Sequence, residues 1–412
     1  MKPFVLFAAL VVAAPLVAAD WPQFRGPNSD GNYTGPKLPT EWGTDKNVVW
    51  KTPIPGHGWS SPIVWKGKVY LTTAVPKGED YSLQALCIDA AKGTIDWNKE
   101  VFVQEGKTAP KIHSKNSHAS PTPITDGERL YVHFGHMGTA ALDLKGNVVW
   151  SKTDLKYKPV HGNGGSPVLV GDNLVFSIDG TDMQVVAARN KNTGAVAWKT
   201  DRKSKATQPF SFSTPLTIQE GGKEIVISPA SGFFAAYDAK TGAELWRFRY
   251  PVPGYSVIPQ PVVGNGLVYV STSYNKPVVL AVKPTGVGDI TSSNLAWSAE
   301  KGGPHTPSML VIGENLFMVS DAGFATFLNA KTGDVHWSER VGGAYSASPI
   351  HYEGKIYLTN ETGQGKVLAA SKEFKEISKS DLKERTFATF AAVEGALFIR
   401  TEKHLYRFEE KK

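Results

Sequence analysis

The stretch Asp238–Trp246, DAKTGAELW, recurs in near copy: NAKTGDVHW ends at Trp337, NKNTGAVAW at Trp198 and DAAKGTIDW at Trp97. Each copy places a Gly four residues before a Trp. In AAYDAKTGAELW two short apolar runs flank Asp, Lys, Thr and Gly, residue types that favour a tight reversal, so the segment reads as a β-hairpin. A side-chain oxygen of Asp238 or Asn329 can cap the turn, and Gly242 or Gly333 can take a positive φ without a Cβ clash. The Trp falls on the returning strand. There its ring is worth burying against a neighbouring unit, and its ring N–H can reach a backbone carbonyl.

Ahead of each hairpin stands a strand pair that opens on Ser-Pro or Thr-Pro: SSPIVWKGKVYLTTA from Ser60, SPTPITDGERLYVHF from Ser120, SPVLVGDNLVFSI from Ser166 and TPLTIQEGGKEIVIS from Thr214. The series continues with QPVVGNGLVYVST from Gln260, TPSMLVIGENLFMVS from Thr306 and SPIHYEGKIYLTN from Ser348; TFAAVEGALFIRT from Thr389 is an eighth copy with Phe390 in the Pro place. The Trp residues at 50, 97, 150, 198, 246, 297 and 337 stand 40 to 53 positions apart. That is close to the period of four-stranded propeller blades. The eighth copy, ending KHLYRFEE, lacks a fourth strand, and NVVWKTP around Trp50 lacks the three that should precede it. Pairing the two completes a ring and removes its exposed sheet edges. The expectation is all-β: one eight-bladed β-propeller of four-stranded antiparallel blades, closed by an N-terminal strand.

Gly 40, Pro 27 and Trp 11 in 412 residues suit many short strands and turns. MKPFVLFAALVVAAPLVAAD resembles a secretory signal peptide, with Lys2, an apolar run, and Val17 and Ala19 before a cleavage point. Asp20 stands where a lipoprotein would need Cys. The predicted organisation is residues 1–19 as signal peptide, 20–44 as an N-terminal arm and 45–412 as propeller, in a periplasmic or secreted protein. Cys87, the only cysteine, takes the place of Ala236 in the repeat, which predicts a buried small side chain and excludes an intrachain disulfide or a CxxCH haem site. The charge of +7 comes from lysines scattered over turns, which argues against nucleic acid as a partner. The mixed-sign run Lys372–Arg385 reads as the solvated outer strand and loop of blade seven.

The pattern in AYDAKTGAELW and FLNAKTGDVHW resembles the tryptophan-docking repeat of the pyrroloquinoline quinone (PQQ) dehydrogenase-like propellers, a superfamily that includes alcohol dehydrogenases and the scaffold BamB. The resemblance covers residues 45 to 409. DWPQFRGPNSDG, from Asp20, is similar to the opening of secreted PQQ-like repeat proteins of planctomycete-type bacteria. As the resemblance implies, family enzymes hold PQQ between a Trp and a vicinal disulfide, chelate Ca²⁺ with carboxylate and amide oxygens, and use an Asp base. One cysteine cannot form that disulfide, and no family Asp or Glu motif matches a position here.

With the TG turns on one face, the loops before each first strand and those between second and third strands share the other, around the channel. They carry His57, Trp59, His113, His118, His161, Tyr255, His305 and Tyr345. Two readings stand: rings that hydrogen-bond neighbouring blades, or a mouth that binds a small anionic or quinone-like ligand with Trp59 as stacking surface. No spacing motif marks a His-bound metal. Asp179, Asp182, Asn275, Asp321 and Glu361 add oxygens, as loop caps or as Ca²⁺ ligands. A hydrolase would need two of Asp179, Asp321 and Glu361 about 5 to 10 Å apart. The favoured expectation is a non-catalytic binding or scaffold propeller without a cofactor. Its partner would be an envelope protein, a glycan or a small ligand, and the chain a monomer that does not span the membrane. The alternative is a PQQ-dependent oxidoreductase of the alcohol or sugar dehydrogenase type, with PQQ and calcium over Trp59.

Overall fold

A computed structural model describes residues 20–252 and 254–411. The signal-peptide expectation falls outside the described residues. Six blades use four consecutive strands, innermost first, and blade five does the same except that one short strand intervenes before its fourth. Blade one is Ile63–Trp65, Lys68–Lys77, Asp80–Asp89 and Ile95–Gln104. In blade eight Ala391–Val393, Ala396–Arg400 and His404–Phe408 are completed by Val48–Pro53, antiparallel and in register Lys51↔Tyr406. The ring is therefore closed by the N-terminal strand, and the fold is an eight-bladed propeller. Glu376–Asp381 is the outer strand of blade seven, as the mixed charges of its run predict.

The recurrent nonapeptide ties each blade to the one before it. Asp238 Oδ1 accepts the backbone N–H groups of Lys240 (3.1 Å) and Thr241 (2.8 Å), closing the turn. Gly242 faces the ring of Trp198, which belongs to the preceding blade, and the Trp198 ring N–H donates to Ala239 O at 3.1 Å. The same bond joins Trp50 to Ala90, Trp97 to Leu144, Trp150 to Lys191, Trp297 to Ala330 and Trp337 to Ser371. Opposite the Trp on the neighbouring strand sits Ala in four blades (Ala141, Ala188, Ala236, Ala281) and Cys87 in blade one, small side chains beside the indole, whereas in blade six Phe327 stacks on Trp337. Cys87 is accordingly buried.

Two blades depart from the rule. A longer hairpin in blade five sends Gly288–Asp289 back as a parallel fifth strand on blade four, and Trp246, beside it, has no partner for its ring N–H among the described residues. Blade seven has no docking Trp; the arm supplies Trp42, which packs on Tyr357 and Phe390 between blades seven and eight.

Candidate functional site

The Ser-Pro and Thr-Pro openings meet at the channel. Each hydroxyl accepts the backbone N–H of its counterpart one blade earlier: Ser61 N–H to Thr122 Oγ1 (2.9 Å), Thr122 to Ser166 (2.9 Å) and Ser166 to Thr214 (3.0 Å). Further round, Gln260 N–H bonds Ser308 (3.0 Å), Ser308 bonds Ser348 (3.0 Å), Ser348 bonds Thr389 (3.0 Å), and Thr389 returns to Ser61 (3.0 Å). Blade five breaks the pattern with Gln260, whose side-chain amide donates to Pro215 O. In blades two and six the working residue is Thr122 or Ser308, two positions beyond the Ser120 and Thr306 at which the sequence copies open.

The arm closes the hairpin-turn end of this ring. Trp21 exchanges two 2.8 Å backbone bonds with Val64, Pro22 O accepts from Thr125, and Tyr33 pairs with His351. Arg25, fully buried, donates to Met309 O and Asp30 O. Phe24 reaches the channel from this side, so the arm is a floor, on the face opposite the mouth. Above it lies a cavity of about 280 Å³ lined by the seven hydroxyl residues, Trp59, Phe210, Phe212, Tyr255, Tyr274 and Phe387. Ring contacts run along the wall from His113 to His161 (5.3 Å), Phe210 (5.6 Å), Tyr255 (5.6 Å) and Tyr274 (6.1 Å), with the His305 ring against Tyr274 (4.4 Å) outside the lining.

Lys115 crosses the mouth. It rises between blades one and two, and its Nζ lies 2.7 Å from Glu361 Oε1 and 3.6 Å from Asp321 Oδ1, on the loops of blades seven and six. Burial works against the ammonium, but the Glu361 bond and the Asp321 charge outweigh it and hold Lys115 above the usual lysine range. Asp321 also accepts from His305 N–H (2.7 Å), Thr306 N–H (3.0 Å) and Thr306 Oγ1 (2.6 Å); Glu361 accepts from Ser346 Oγ (2.7 Å).

Of the residues picked from sequence, Trp59, His113, His161 and Tyr255 line the cavity. Trp59 packs on Phe387 with the rings tilted, centroids 4.5 Å apart, and His57 stands behind it, edge-on at 4.9 Å. His305 contributes its backbone to Asp321 rather than its ring to the lining. His118 turns away, against Tyr81 at 4.3 Å, and burial lowers its pKa to about 4. Tyr345 is buried in the core between blades six and seven, and its neighbour Ser346 lines the cavity instead. Asp182 caps Lys158 N–H at 2.8 Å, and Asn275 accepts the Tyr255 hydroxyl at 3.2 Å.

Asp179 is not at the mouth: it is buried against Arg202, Nε to Oδ1 2.8 Å, and borders a second, smaller void that shares Gly164 and Phe212 with the first. The contact is ionic without hydrogen-bond alignment. Burial raises the Asp179 carboxyl and Arg202 acts in the opposite direction, leaving it at about 7. Among the described residues no three His, Cys, Asp or Glu side chains converge closely enough to hold a metal ion.

Lys115, Phe210, Phe212, Tyr274 and Phe387 escaped the sequence reading, whereas Phe24 belongs to the DWPQFRGPNSDG motif by which the arm was recognised. The alternate aromatics of PFSFS, directly before Thr214, occupy the same loop class as the quoted ones and could have been included. The reach of Lys115 to residues more than 200 positions away left no local signal.

Among curated proteins, the chain is 28% identical over 159 residues to methanol dehydrogenase [cytochrome c] subunit 1 of Methylorubrum extorquens, covering 32% of this chain and 23% of that protein. It is 25% identical over 254 residues to quinohemoprotein alcohol dehydrogenase ADH-IIG of Pseudomonas putida, covering 52% of this chain and 31% of that protein. The chain thus spans under a third of the length of either relative. Among solved structures, BamB from Moraxella catarrhalis superposes with TM-score 0.59 at 14% identity, over 91% of this chain and 98% of that one. The computationally designed Ika8 protein superposes with TM-score 0.60 at 12% identity, over 88% and 99%. At these identities the structures share the fold. A PQQ-like repeat model described as outer membrane protein assembly factor BamB matches residues 34–181, 182–312 and 286–375. With most of its length matched in this way, the chain belongs to the BamB-type family of PQQ-like repeat propellers.

Proposed function

We propose that the protein is a non-catalytic binding propeller of the cell envelope, exported by residues 1–19, whose central cavity holds a small ligand. The observation that carries this reading is the engagement of Lys115 with Asp321 and Glu361. The acids that could serve as a base, a cation ligand or a hydrolytic pair are already hydrogen-bonded and share one ammonium, while the space beneath them is aromatic and hydroxyl-lined. Such a lining suits binding better than proton transfer.

The residues do not fit the quinone–calcium arrangement that the dehydrogenase relatives bring to mind. An ammonium occupies the place beside the two mouth carboxylates, and Cys87 lies inside blade one. The test is reconstitution with PQQ and Ca²⁺, followed by dye-coupled oxidation of alcohols and sugars. The expected result is no turnover above the untreated protein. Saturable one-to-one PQQ binding with substrate-dependent dye reduction would overturn the reading in favour of a quinoprotein dehydrogenase.

A further inference from the structure

Asp321 and Glu361 are held in place without help from Lys115: three bonds from His305 and Thr306 fix the first, and Ser346 Oγ bonds the second. Two carboxylates positioned within reach of one point favour a cation there. In the protein alone that cation is Lys115, which comes from across the channel on a side chain 31% exposed, against 15% and 17% for the acids.

Lys115, Thr306 and Ser346, which bond the two acids, line the cavity, while Asp321 and Glu361 stand directly behind them; beneath this point the cavity offers donors. Ser61, Thr122, Ser166, Thr214, Ser308, Ser348 and Thr389 are each at most 5% exposed and all line it. Their oxygens are engaged by backbone N–H groups, and among the described residues none of their own protons has an acceptor. The Trp59 ring N–H, in the same wall, is also buried without a partner. Buried polar groups are normally paired, so eight convergent donors call for acceptors supplied by whatever fills the space, water included. At about 280 Å³ the cavity lies near the lower end of ligand-pocket volumes, about 300 to 1,000 Å³.

We infer that the cavity takes a compact ligand with a protonated amine at one end and oxygen acceptors at the other. The amine replaces Lys115 on Asp321 and Glu361, the acceptors meet the hydroxyl ring and the Trp59 N–H, and the aromatic walls cover the chain between. This rests on the binding reading above and adds the ligand's chemistry. Lys115 is a built-in competitor, so its removal raises affinity by freeing the acids.

Calorimetry with δ-aminovalerate, valerate and pentylamine tests this on the full chain and its Lys115→Met and Lys115→Arg variants. Lys115→Met should bind δ-aminovalerate about tenfold more tightly than the parent, and Lys115→Arg, which keeps a cation, should not. Valerate and pentylamine, each lacking one end, should bind Lys115→Met at least about tenfold more weakly than δ-aminovalerate. Adding Glu361→Gln to Lys115→Met should abolish the gain. An unchanged thermal midpoint in Lys115→Met shows that the fold is intact. No binding of δ-aminovalerate by that folded variant, or binding indifferent to the amine, overturns the inference. Saturable binding of an amine-free ligand that quenches Trp59 would leave the binding reading standing while this one fell.

Discussion

Gly194 lies against the indole of Trp150, one blade earlier: a Cβ built on Gly194, where φ is 72°, would fall 2.6 Å from the ring. The same indole donates its N–H to Lys191 O at 2.9 Å, so one turn supplies both the surface and the acceptor. Gly194→Ala should therefore cost a left-handed backbone penalty of about 1–2 kcal/mol plus an overpacking term of about 1–3 kcal/mol. Gly266→Ala, at φ 75° with nothing within 4 Å, should show the backbone part alone. Denaturant midpoints of the two variants measure the difference.

The hydroxyl ring predicts a distinction between near-isosteres. Thr214→Val keeps the volume but leaves the Ser166 N–H, now at 3.0 Å from Thr214 Oγ1, unpaired in the interior. The expected loss is about 1–3 kcal/mol. Thr214→Ser keeps the acceptor and loses one methyl, about 1 kcal/mol. Equal losses in the two unfolding curves would assign the ring no energetic role.

Trp42 fills in blade seven the packing place of the repeat's own Trp, without the ring N–H bond that the others except Trp246 make. It is buried against Tyr357 and Phe390, with its backbone N–H on Ser380 Oγ at 2.9 Å. Trp42→Ala should cost about 3–5 kcal/mol, as for other fully buried Trp side chains. Thermal unfolding should register it although the residue lies outside the repeat. Phe24→Ala, half-buried at the cavity floor, should barely move the midpoint yet weaken ligand binding.

A buried histidine, His133, and a half-buried one, His118, set a pH dependence. Burial lowers His118 to about 4 and His133 to about 3, both from 6.5. Below pH 6.5 the unfolded chain takes up protons that the folded chain refuses, so this stability is fully present above pH 6.5 and is lost progressively as pH falls toward the folded values. His118→Phe, which keeps the contact with Tyr81 and removes the titrating ring, should flatten the fall of the denaturant midpoint between pH 6.5 and 4. An identical slope would show that His118 does not titrate in this way.

The blades were legible because their information is local. A nonapeptide fixes its own turn, and its period fixes the ring, down to the strand around Trp50 completing blade eight. The Ser/Thr-Pro openings were equally visible, but their purpose, a hydrogen bond to the next blade, is a relation between strands about 40 to 60 residues apart. The site was read less completely. Loop class placed Trp59, His161 and Tyr255 at the channel, whereas Tyr345 could turn either inward or toward the inter-blade core, and packing chose the core. Asp321 and Glu361 were visible as loop oxygens. Their shared partner, Lys115, was not, because which loop crosses a channel depends on three-dimensional reach.

The central claim is that the channel is a ligand site, and native mass spectrometry of the chain isolated from the cells that make it addresses this directly. The comparison is Ile258→Trp, in which a half-buried lining residue is enlarged to fill the cavity. The account predicts a one-to-one small-molecule adduct on the parent chain that is missing from the folded variant. A parent chain at its bare mass, or an adduct that persists in Ile258→Trp, would contradict it.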